Sequence, residues 1–326
     1  MLYPFVFRPI FKDRIWGGRE LERLYGKEIP AGQLTGESWE ISDRPGDASV
    51  IANGPLAGKD LRWLMENHAA DVLGGAKPAT AGRFPLLCKI LDAREKLSLQ
   101  VHPPAGRAAE LKGEPKTELW FIADAAPGAS LYVGLKHGVT RAEFERKISD
   151  GSVADCFHRL PVKAGDTMFL PSGRVHAIGD GLVIFELQQN SDTTYRVFDW
   201  NRVGLDGKPR DLHLQQSLAS IDFNDFEPKL VPANYRPGPG FQFRQLVEDP
   251  LFNVQELVFE NAGSVTLAGQ YLRIIAVTRG TATIADDRSG IIAQLKAGDF
   301  CLIPACLNKV EVKATGNTSF LCTEAN

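Results

Sequence analysis

One segment of nine residues occurs twice in this chain and constrains its fold more than any other feature. Residues 163–171 read KAGDTMFLP and residues 296–304 read KAGDFCLIP, with KAGD and the closing proline in register. Two copies of one β-unit explain such a match better than chance does. Residues 232–240, PANYRPGPG, are rich in proline and glycine, as a linker between the copies would be. We therefore expect two units, residues 1–230 and residues 231–326.

Short apolar runs dominate the rest of the pattern. ELWFI, SLYVGL, TMFLP, LVIFELQQ and TYRVFDW are separated by glycines and prolines, which is typical of a β-sandwich or barrel and not of alternating strands and helices. Helical patterns are confined to residues 60–73, to a segment that follows the capping box at Thr140, and to residues 212–221. The chain is predicted to be mainly β with a few peripheral helices.

Composition excludes several classes of partner. The 326 residues include 37 Lys and Arg against 40 Asp and Glu, a net charge of −3, which offers no electrostatic footprint for nucleic acid or an anionic membrane. No stretch predicts a bilayer-spanning helix, a signal peptide or a nucleotide-binding loop. The five cysteines lack CxxC spacing and lie mostly among aliphatic residues, as reduced thiols do. We expect a cytoplasmic protein, and the pattern indicates no particular oligomeric state.

One predicted interior strand carries a polar face. In residues 97–103, LSLQVHP, aliphatic side chains alternate with Ser98, Gln100 and His102, the period of a β-strand. Burying polar groups without partners is costly. The polar face is therefore expected to point at an ion or a ligand.

The segment that follows the first KAGD resembles a known metal-binding motif. In GDTMFLPSGRVH, Gly165, Pro171, Gly173 and His176 are spaced as in the second motif of the cupin jelly roll, whose histidine binds a metal inside a small barrel. The second copy has Lys309 at the position of that histidine. The resemblance implies two cupin-like jelly-roll barrels, of which the first binds the metal.

Several separated blocks also resemble, in the same order, the short bacterial type of mannose-6-phosphate isomerase. The blocks are IWGG, GESWEIS, FPLLCKILDAREKLSLQVHP, KTELWFI and PSGRVHAIGDGLVIFELQQNSDTTYRVFDWNR, and the resemblance extends from the N-terminus to about residue 225. It implies a zinc-dependent enzyme that interconverts mannose 6-phosphate and fructose 6-phosphate through an enediol intermediate.

The resemblance assigns a metal-ligand set. The family's four ligands fall on Gln100, His102, Glu118 and His176. Two imidazoles, a carboxylate and a weak amide oxygen leave a coordination position open, which suits Lewis-acid catalysis. We expect one Zn²⁺ per chain, although iron, manganese or cobalt would suit the same donors.

It also implies catalytic and substrate-binding residues. The family's catalytic arginine falls on Arg196, and a second position falls on Glu186, which could shuttle protons with a raised pKa or pair with Arg196. Phosphate-binding positions fall on Ser98 and Lys116, and Lys116 is also a candidate catalytic group. Three further candidates for binding the sugar phosphate are Lys89, Arg202 and Trp16.

One segment departs from the family pattern and leaves alternatives open. After His102 and Pro103 the family usually continues with acidic residues, whereas residues 104–107 read PAGR. If the loop from residue 104 to Lys116 borders the pocket mouth, its altered charge changes the substrate preference. The alternatives are a cupin isomerase for another sugar or sugar phosphate, a non-catalytic metal-dependent sugar-binding protein, and an iron-dependent cupin dioxygenase.

Overall fold

A computed structural model describes residues 1–204 and 207–326. Strands predominate in it, as predicted, and none of the described helices is long and apolar enough to cross a membrane. The α-helices are α1 Glu20–Tyr25, α2 Leu61–Leu73, α3 Ala105–Ala108, α4 Arg141–Ser149 and α5 Leu214–Ser220, with 3-10 turns at Thr80–Gly82 and Val153–Cys156.

The strands fall into two sets along the chain. The first set is β1 Phe5–Val6, β2 Ile10–Gly18, β3 Thr35–Ile41, β4 Asp43–Arg44, β5 Asp47–Ala48, β6 Leu86–Ala93, β7 Leu99–Val101, β8 Glu118–Ala125, β9 Ser130–Leu135, β10 Phe157–Pro161, β11 Thr167–Leu170, β12 His176–Ile178, β13 Leu182–Gln189 and β14 Tyr195–Phe198. The second set is β15 Arg236–Gly238, β16 Phe241–Glu248, β17 Phe252–Phe259, β18 Ala262–Ala268, β19 Arg273–Arg279, β20 Thr281–Asp286, β21 Ile292–Lys296, β22 Phe300–Ile303, β23 Lys309–Thr315 and β24 Thr318–Ala325.

The first set builds a sandwich of two antiparallel sheets. A six-stranded sheet has the order β11-β8-β13-β6-β3-β2, and a five-stranded sheet has the order β10-β9-β12-β7-β14. Because side chains alternate between the two faces of a strand, Leu91 and Ile184 of the larger sheet share a buried core with Leu131 and Ile178 of the smaller one. Interior positions of both sheets therefore face each other.

The second set repeats this arrangement except that it has no counterpart of β14. Its larger sheet has the order β22-β19-β24-β17-β16-β15, with β1 added beside β22, and its smaller sheet has the order β21-β20-β23-β18. The turns before β11 and β22 are also alike, since Asp166 and Asp299 each accept a hydrogen bond of 2.9 Å from the backbone of the lysine three residues earlier. The internal repeat inferred from KAGD is thus a repeat of topology.

The two sandwiches pack through the outer faces of their larger sheets. Ile90 and Phe185 of the first sandwich meet Ile274 and Phe300 of the second in one hydrophobic core, and the rings of Phe185 and Phe300 stack with centroids 5.5 Å apart. The N-terminal strand Phe5–Val6 pairs with β22 of the second sandwich. The N-terminal segment therefore ties the two halves together, and the division at residue 230 stays a prediction.

Local signals positioned α2, α4 and α5 correctly, whereas the short helices α1 and α3 were not predicted. Asp60 accepts a hydrogen bond of 2.7 Å from the backbone N–H of Trp63 at the start of α2, and Thr140 accepts one of 3.2 Å from Glu143 at the start of α4. These caps satisfy backbone donors that the helix itself leaves free.

The core under α4 provides a test of packing. Phe144 is fully buried and its ring lies 6.0 Å from that of Phe157 and 5.7 Å from that of Phe223. Phe144→Ala is expected to lower the free energy of unfolding by about 3–5 kcal/mol, because it removes buried area and leaves a cavity. Urea unfolding measures this loss, and a change below about 1 kcal/mol would contradict the packing described.

Candidate metal centre and active site

Strand pairing brings three predicted site residues side by side. In the five-stranded sheet β7 lies between β12 and β14, and Gln100 pairs with His176 on one side and with Arg196 on the other. Ser98 and His102 lie on the same face of β7 as Gln100, and both are buried. The polar face seen in LSLQVHP is therefore directed into the sandwich.

The four predicted metal ligands come together there. One nitrogen of His102, one nitrogen of His176 and one oxygen of Glu118 lie within 4.8 Å of one another. The Nε2 atoms of His176 and His102 are 3.2 Å and 3.6 Å from Glu118 Oε1. The amide nitrogen of Gln100 is 3.2 Å from His176 Nε2. No more than 1% of His102, Glu118 or His176 is exposed.

Backbone carbonyls orient both imidazoles. His102 Nδ1 is 2.7 Å from the carbonyl oxygen of Thr193, and His176 Nδ1 is 3.0 Å from that of Arg174. Because a carbonyl can only accept, each Nδ1 carries the hydrogen and each Nε2 keeps a lone pair. His102 Nε2 lies 3.3 Å from Lys116 Nζ, and His176 Nε2 lies 3.2 Å from the amide nitrogen of Gln100. Burial lowers the pKa of both histidines, that of His176 to about 3, so both rings are neutral, the form that binds metals.

The donor set fits a divalent metal ion. Glu118 Oε1 is fully buried and accepts no hydrogen bond from the described residues, while two lone-pair-bearing nitrogens face it. Lys116 Nζ lies 2.7 Å from Glu118 Oε2, and although burial alone would raise the pKa of Glu118, this ammonium helps to hold it well below its usual value. Two nitrogen lone pairs and a carboxylate oxygen lie close together, and a cation between them would bind all three. Two imidazoles with a carboxylate suit zinc and other divalent transition metals.

A cavity of about 590 Å³ opens in front of the cluster, with Gln100 and Lys116 in its wall. His102, Glu118 and His176 are not among the residues that line the cavity, but each contacts Gln100 or Lys116. The charged residues that line the cavity are Asp13, Arg14, Glu37, Lys89, Lys116, Glu186, Asp192, Arg196 and Arg210. Cations and carboxylates are thus nearly balanced in number, and an anionic substrate would be held by local pairs and not by a uniformly positive wall.

Five of these groups form a row of alternating charge across the larger sheet. From the cluster outward, Lys116 lies 3.9 Å from Glu186, and Glu186 lies 3.2 Å from Lys89. Lys89 lies 3.7 Å from Glu37, and Glu37 lies 2.9 Å from Arg14. The row arises because Glu186 and Lys89 occupy paired positions on β13 and β6.

The row answers two questions that the sequence left open. Lys89 is only 4% exposed and finds anionic partners in Glu186 and Glu37, so it does not extend to solvent. Glu186 pairs with Lys89 and Lys116 and not with Arg196. Burial raises the pKa of Glu186 although both lysines oppose the shift, and Trp120 donates a hydrogen bond of 2.9 Å to its carboxylate.

The row can be tested by removing its central cation. Lys89→Met is expected to lower the free energy of unfolding by about 3–5 kcal/mol, because two buried carboxylates each lose one of their two cationic partners. Without Lys89 the pKa of Glu186 rises further. A carboxyl whose pKa is higher in the folded than in the unfolded state favours folding as the pH falls. In urea unfolding, the loss in free energy of unfolding relative to the parent should therefore become smaller as the pH is lowered from 8 to 5.5. A loss that becomes larger would refute the pairing.

Arg196 has spare hydrogen-bonding capacity in the cavity wall. One terminal nitrogen donates to the carbonyl of Asp211 at 2.8 Å, whereas Nε is buried and has no partner among the described residues. Burial lowers the pKa of Arg196, and the nearby Arg210 adds to the shift. A buried, unpaired N–H is costly, so this donor is available to a bound anion or a developing oxyanion.

The remaining predicted residues divide into two groups. Ser98 and Trp16 line the cavity, together with Lys89, Lys116, Glu186 and Arg196. Arg202 does not: its guanidinium binds Asp199 at 2.8 Å. Arg210 binds the same carboxylate at 2.5 Å and itself lines the cavity. Thus the structure brings Arg210, and not Arg202, to the substrate side.

Sequence reasoning missed Glu37, Arg14 and Arg210. Glu37 could have been noticed as a carboxylate inside the uniformly buried strand Thr35–Ile41; it also accepts a hydrogen bond of 2.6 Å from Trp39. The pKa of Glu37 falls to about 2, because Lys89 and Arg14 outweigh the effect of burial, which alone would raise it. No local pattern marks Arg210.

The loop from residue 104 to Lys116 reaches the cavity only at Lys116, so residues 104–107, which depart from the family pattern, do not border it. This segment forms the start of α3, and none of its residues lines the cavity in the described part of the chain. Arg107 instead donates to the carbonyl of Ala219 at 2.7 Å and pairs with Glu110. Because Arg107 is bound to α5, its positive charge does not face the substrate cavity.

Comparison with known proteins identifies the family of this chain. Residues 5–118 match the family model "Phosphomannose isomerase type I, catalytic domain". The chain is 35% identical to a mannose-6-phosphate isomerase of Streptococcus mutans over 93% of each chain, and 35% identical to ManA of Bacillus subtilis over 95% of this chain and 96% of that one. The crystal structure of the mannose 6-phosphate isomerase from Bacillus subtilis superposes with a TM-score of 0.88, at 31% identity over 99% of both chains. On fold, site and near full-length similarity, the chain belongs to the mannose-6-phosphate isomerase family.

Proposed function

We propose that the chain interconverts mannose 6-phosphate and fructose 6-phosphate as a metal-dependent aldose–ketose isomerase. The observation that supports this most directly is the buried cluster of His102, Glu118 and His176 behind a cavity whose wall carries both cations and proton-transfer groups. Relatives named mannose-6-phosphate isomerase, similar over nearly the whole chain, support the same reaction.

We assign one Zn²⁺ per chain to Gln100, His102, Glu118 and His176. When bound there, the metal supplies Lewis-acid polarisation of the sugar's carbonyl or hydroxyl oxygen. The same nitrogen and oxygen donors would accept iron, manganese or cobalt. Zinc is proposed because a small, four-ligand site with two imidazoles is typical of it.

The reaction moves protons within one molecule. A proton leaves C2 of the open-chain aldose and a proton is delivered to C1, while the hydroxyl proton on O2 is exchanged for one on O1, so no external oxidant or reductant is consumed. We assign proton movement to Glu186 and Lys116, which share the wall nearest the cluster. Arg196, whose Nε–H has no partner among the described residues, stabilises the negative charge that develops on the enediol oxygens.

The substrate's phosphate needs cations away from the reacting carbons. Lys89 supplies one, and Ser98 and Trp16 contribute a hydroxyl and an apolar wall to the same cavity. Arg202 contributes through Asp199, the carboxylate that it shares with Arg210. We propose that residues 1–230 carry the reaction and that residues 231–326 form a second unit without catalytic metal.

The reaction is proposed to take place in the cytoplasm. All five cysteines are free thiols, and four of them are buried, which fits a reducing compartment. The sugar phosphate is the expected small-molecule partner.

Chelation tests the metal and the reaction together. Formation of fructose 6-phosphate from mannose 6-phosphate, followed in a coupled assay, is expected to be lost after chelation and dialysis. Adding back one equivalent of Zn²⁺ per chain should restore it, because the apo cluster keeps its ligands. Activity that survives with less than one metal ion per ten chains would refute metal dependence; a fully loaded but inactive enzyme would refute the substrate.

A further inference from the structure

The second sandwich contains a cavity of about 470 Å³ that the isomerase reaction does not use. Its walls come from β16, β17, β18 and β24. The side chains that matter for its chemistry are Phe241, Phe243, Gln245, Gln255 and Leu257. The volume lies in the range of cavities that bind small molecules.

This cavity occupies the place of the catalytic cavity in the repeated topology. The order β24-β17-β16 in the second sandwich corresponds to β13-β6-β3 in the first. In the first sandwich Lys89 pairs with Glu186; at the corresponding place Gln255 pairs with Cys322. Gln245 lies opposite Gln255. The charged row is therefore replaced here by neutral side chains.

The replacement excludes the ligands that the catalytic cavity takes. None of the described residues that line the second cavity is a lysine, an arginine or a histidine. Its two acidic residues, Glu248 and Glu324, would repel a phosphate, although Glu324 is paired with Arg273 at 2.7 Å. Lys309, which stands where the metal-binding histidine would be, is exposed. A sugar phosphate or a metal ion is thus unsuited to this cavity.

What remains is a combination of amides and apolar rings. Gln255 donates a hydrogen bond of 2.9 Å to the side-chain oxygen of Gln245, and its own oxygen and second N–H have no described partner. Gln245 donates its own N–H groups to the carbonyls of Val247 and Val254 and offers only its oxygen. Gln255 therefore supplies both the donor and the acceptor that hydroxyl groups require. The rings of Phe241 and Phe243 lie 6.2 Å apart and, with Leu257, form an apolar wall.

We propose that this cavity binds an uncharged sugar ring, with its hydroxyl edge on Gln245 and Gln255 and its C–H face on Phe241 and Phe243. An uncharged sugar combines these two surfaces in one small molecule. The site is independent of the catalytic one, because no lining residue is shared.

Saturation-transfer NMR on the full chain with D-mannose and with D-fructose tests the proposal. At least one sugar should show transfer to its ring protons. Gln255→Leu and Phe243→Ala should each raise the sugar concentration for half-saturation at least about tenfold. Gln242→Ala, at an exposed neighbouring position outside the cavity, is the matched control and should leave it unchanged. None of the three should alter kcat for mannose 6-phosphate, which also reports that each variant is folded.

The catalytic cavity could also bind these sugars weakly. The part of the saturation transfer that is lost in Gln255→Leu is therefore the part assigned to the second cavity. The proposal is overturned if neither sugar shows transfer, or if the transfer is the same in parent, Gln255→Leu and Phe243→Ala. It is also overturned if the chain forms a concentration-dependent dimer that Phe243→Ala dissociates, since a second copy would then be the occupant.

Discussion

His176→Ala is expected to abolish both metal retention and isomerase turnover. The substitution removes one of two neutral imidazoles whose Nε2 atoms face the same buried oxygen of Glu118, 3.2 Å away in the case of His176. The remaining donors are one imidazole, one carboxylate and a weak amide, too few for a stable zinc site. Metal content per chain after dialysis, measured by mass spectrometry beside the coupled assay, should fall together with kcat.

A second histidine provides the control. His137 is exposed, and its ring lies 5.4 Å from that of Phe226, in contact with neither the cluster nor the cavity. His137→Ala should keep metal and activity at parental values. Full metal occupancy in His176→Ala would sink the ligand assignment. Because a buried imidazole is being truncated, urea unfolding of both variants should accompany the assay, so that loss of metal is separated from loss of fold.

Arg196→Ala is expected to leave the metal bound and to lower kcat by about 10²–10³-fold, the range found when a single donor to a developing oxyanion is removed. Arg196 pairs in register with Gln100 but is not one of the three clustered residues, so the ligand set survives its loss. The Nε–H without a described partner is the group whose removal should be felt in the transition state.

The measurement is kcat and KM for mannose 6-phosphate at known metal content. Arg141, on the exposed surface of α4, pairs with Glu145, and Arg141→Ala is the matched control for loss of one arginine. A near-normal kcat in Arg196→Ala would remove this residue from the chemistry. A loss of metal equal to that in His176→Ala would instead make it a structural part of the centre.

Local rules were sufficient for the helix starts that have side-chain caps and for the polar strand. Asp60 and Thr140 mark the starts of α2 and α4, because a side chain at the N-cap can reach only the first turn of its own helix. Alternation in residues 97–103 was enough to predict the polar face of β7, since the period of a strand is fixed by backbone geometry.

Prediction failed where partners come from distant strands or loops. Arg202 was a candidate from the motif around Trp200, yet the two arginines converge on Asp199 and it is Arg210 that reaches the cavity. Glu37 is a site residue because β3 pairs with β6, the strand of Lys89.

The amino-acid sequence by itself determined that two similar β-units are present, that the first keeps His176 where the second has Lys309, and that Ser98, Gln100 and His102 share a face. These features follow from the repeated KAGD segment and from the two-residue alternation of a strand, both of which are visible in the amino-acid sequence. Only the tertiary structure decided which polar side chains meet: Glu186 with Lys89 and Lys116, Gln255 with Gln245. The reason is physical, because the energy of a buried charge depends on partners within a few ångströms, and strand order and register set those partners.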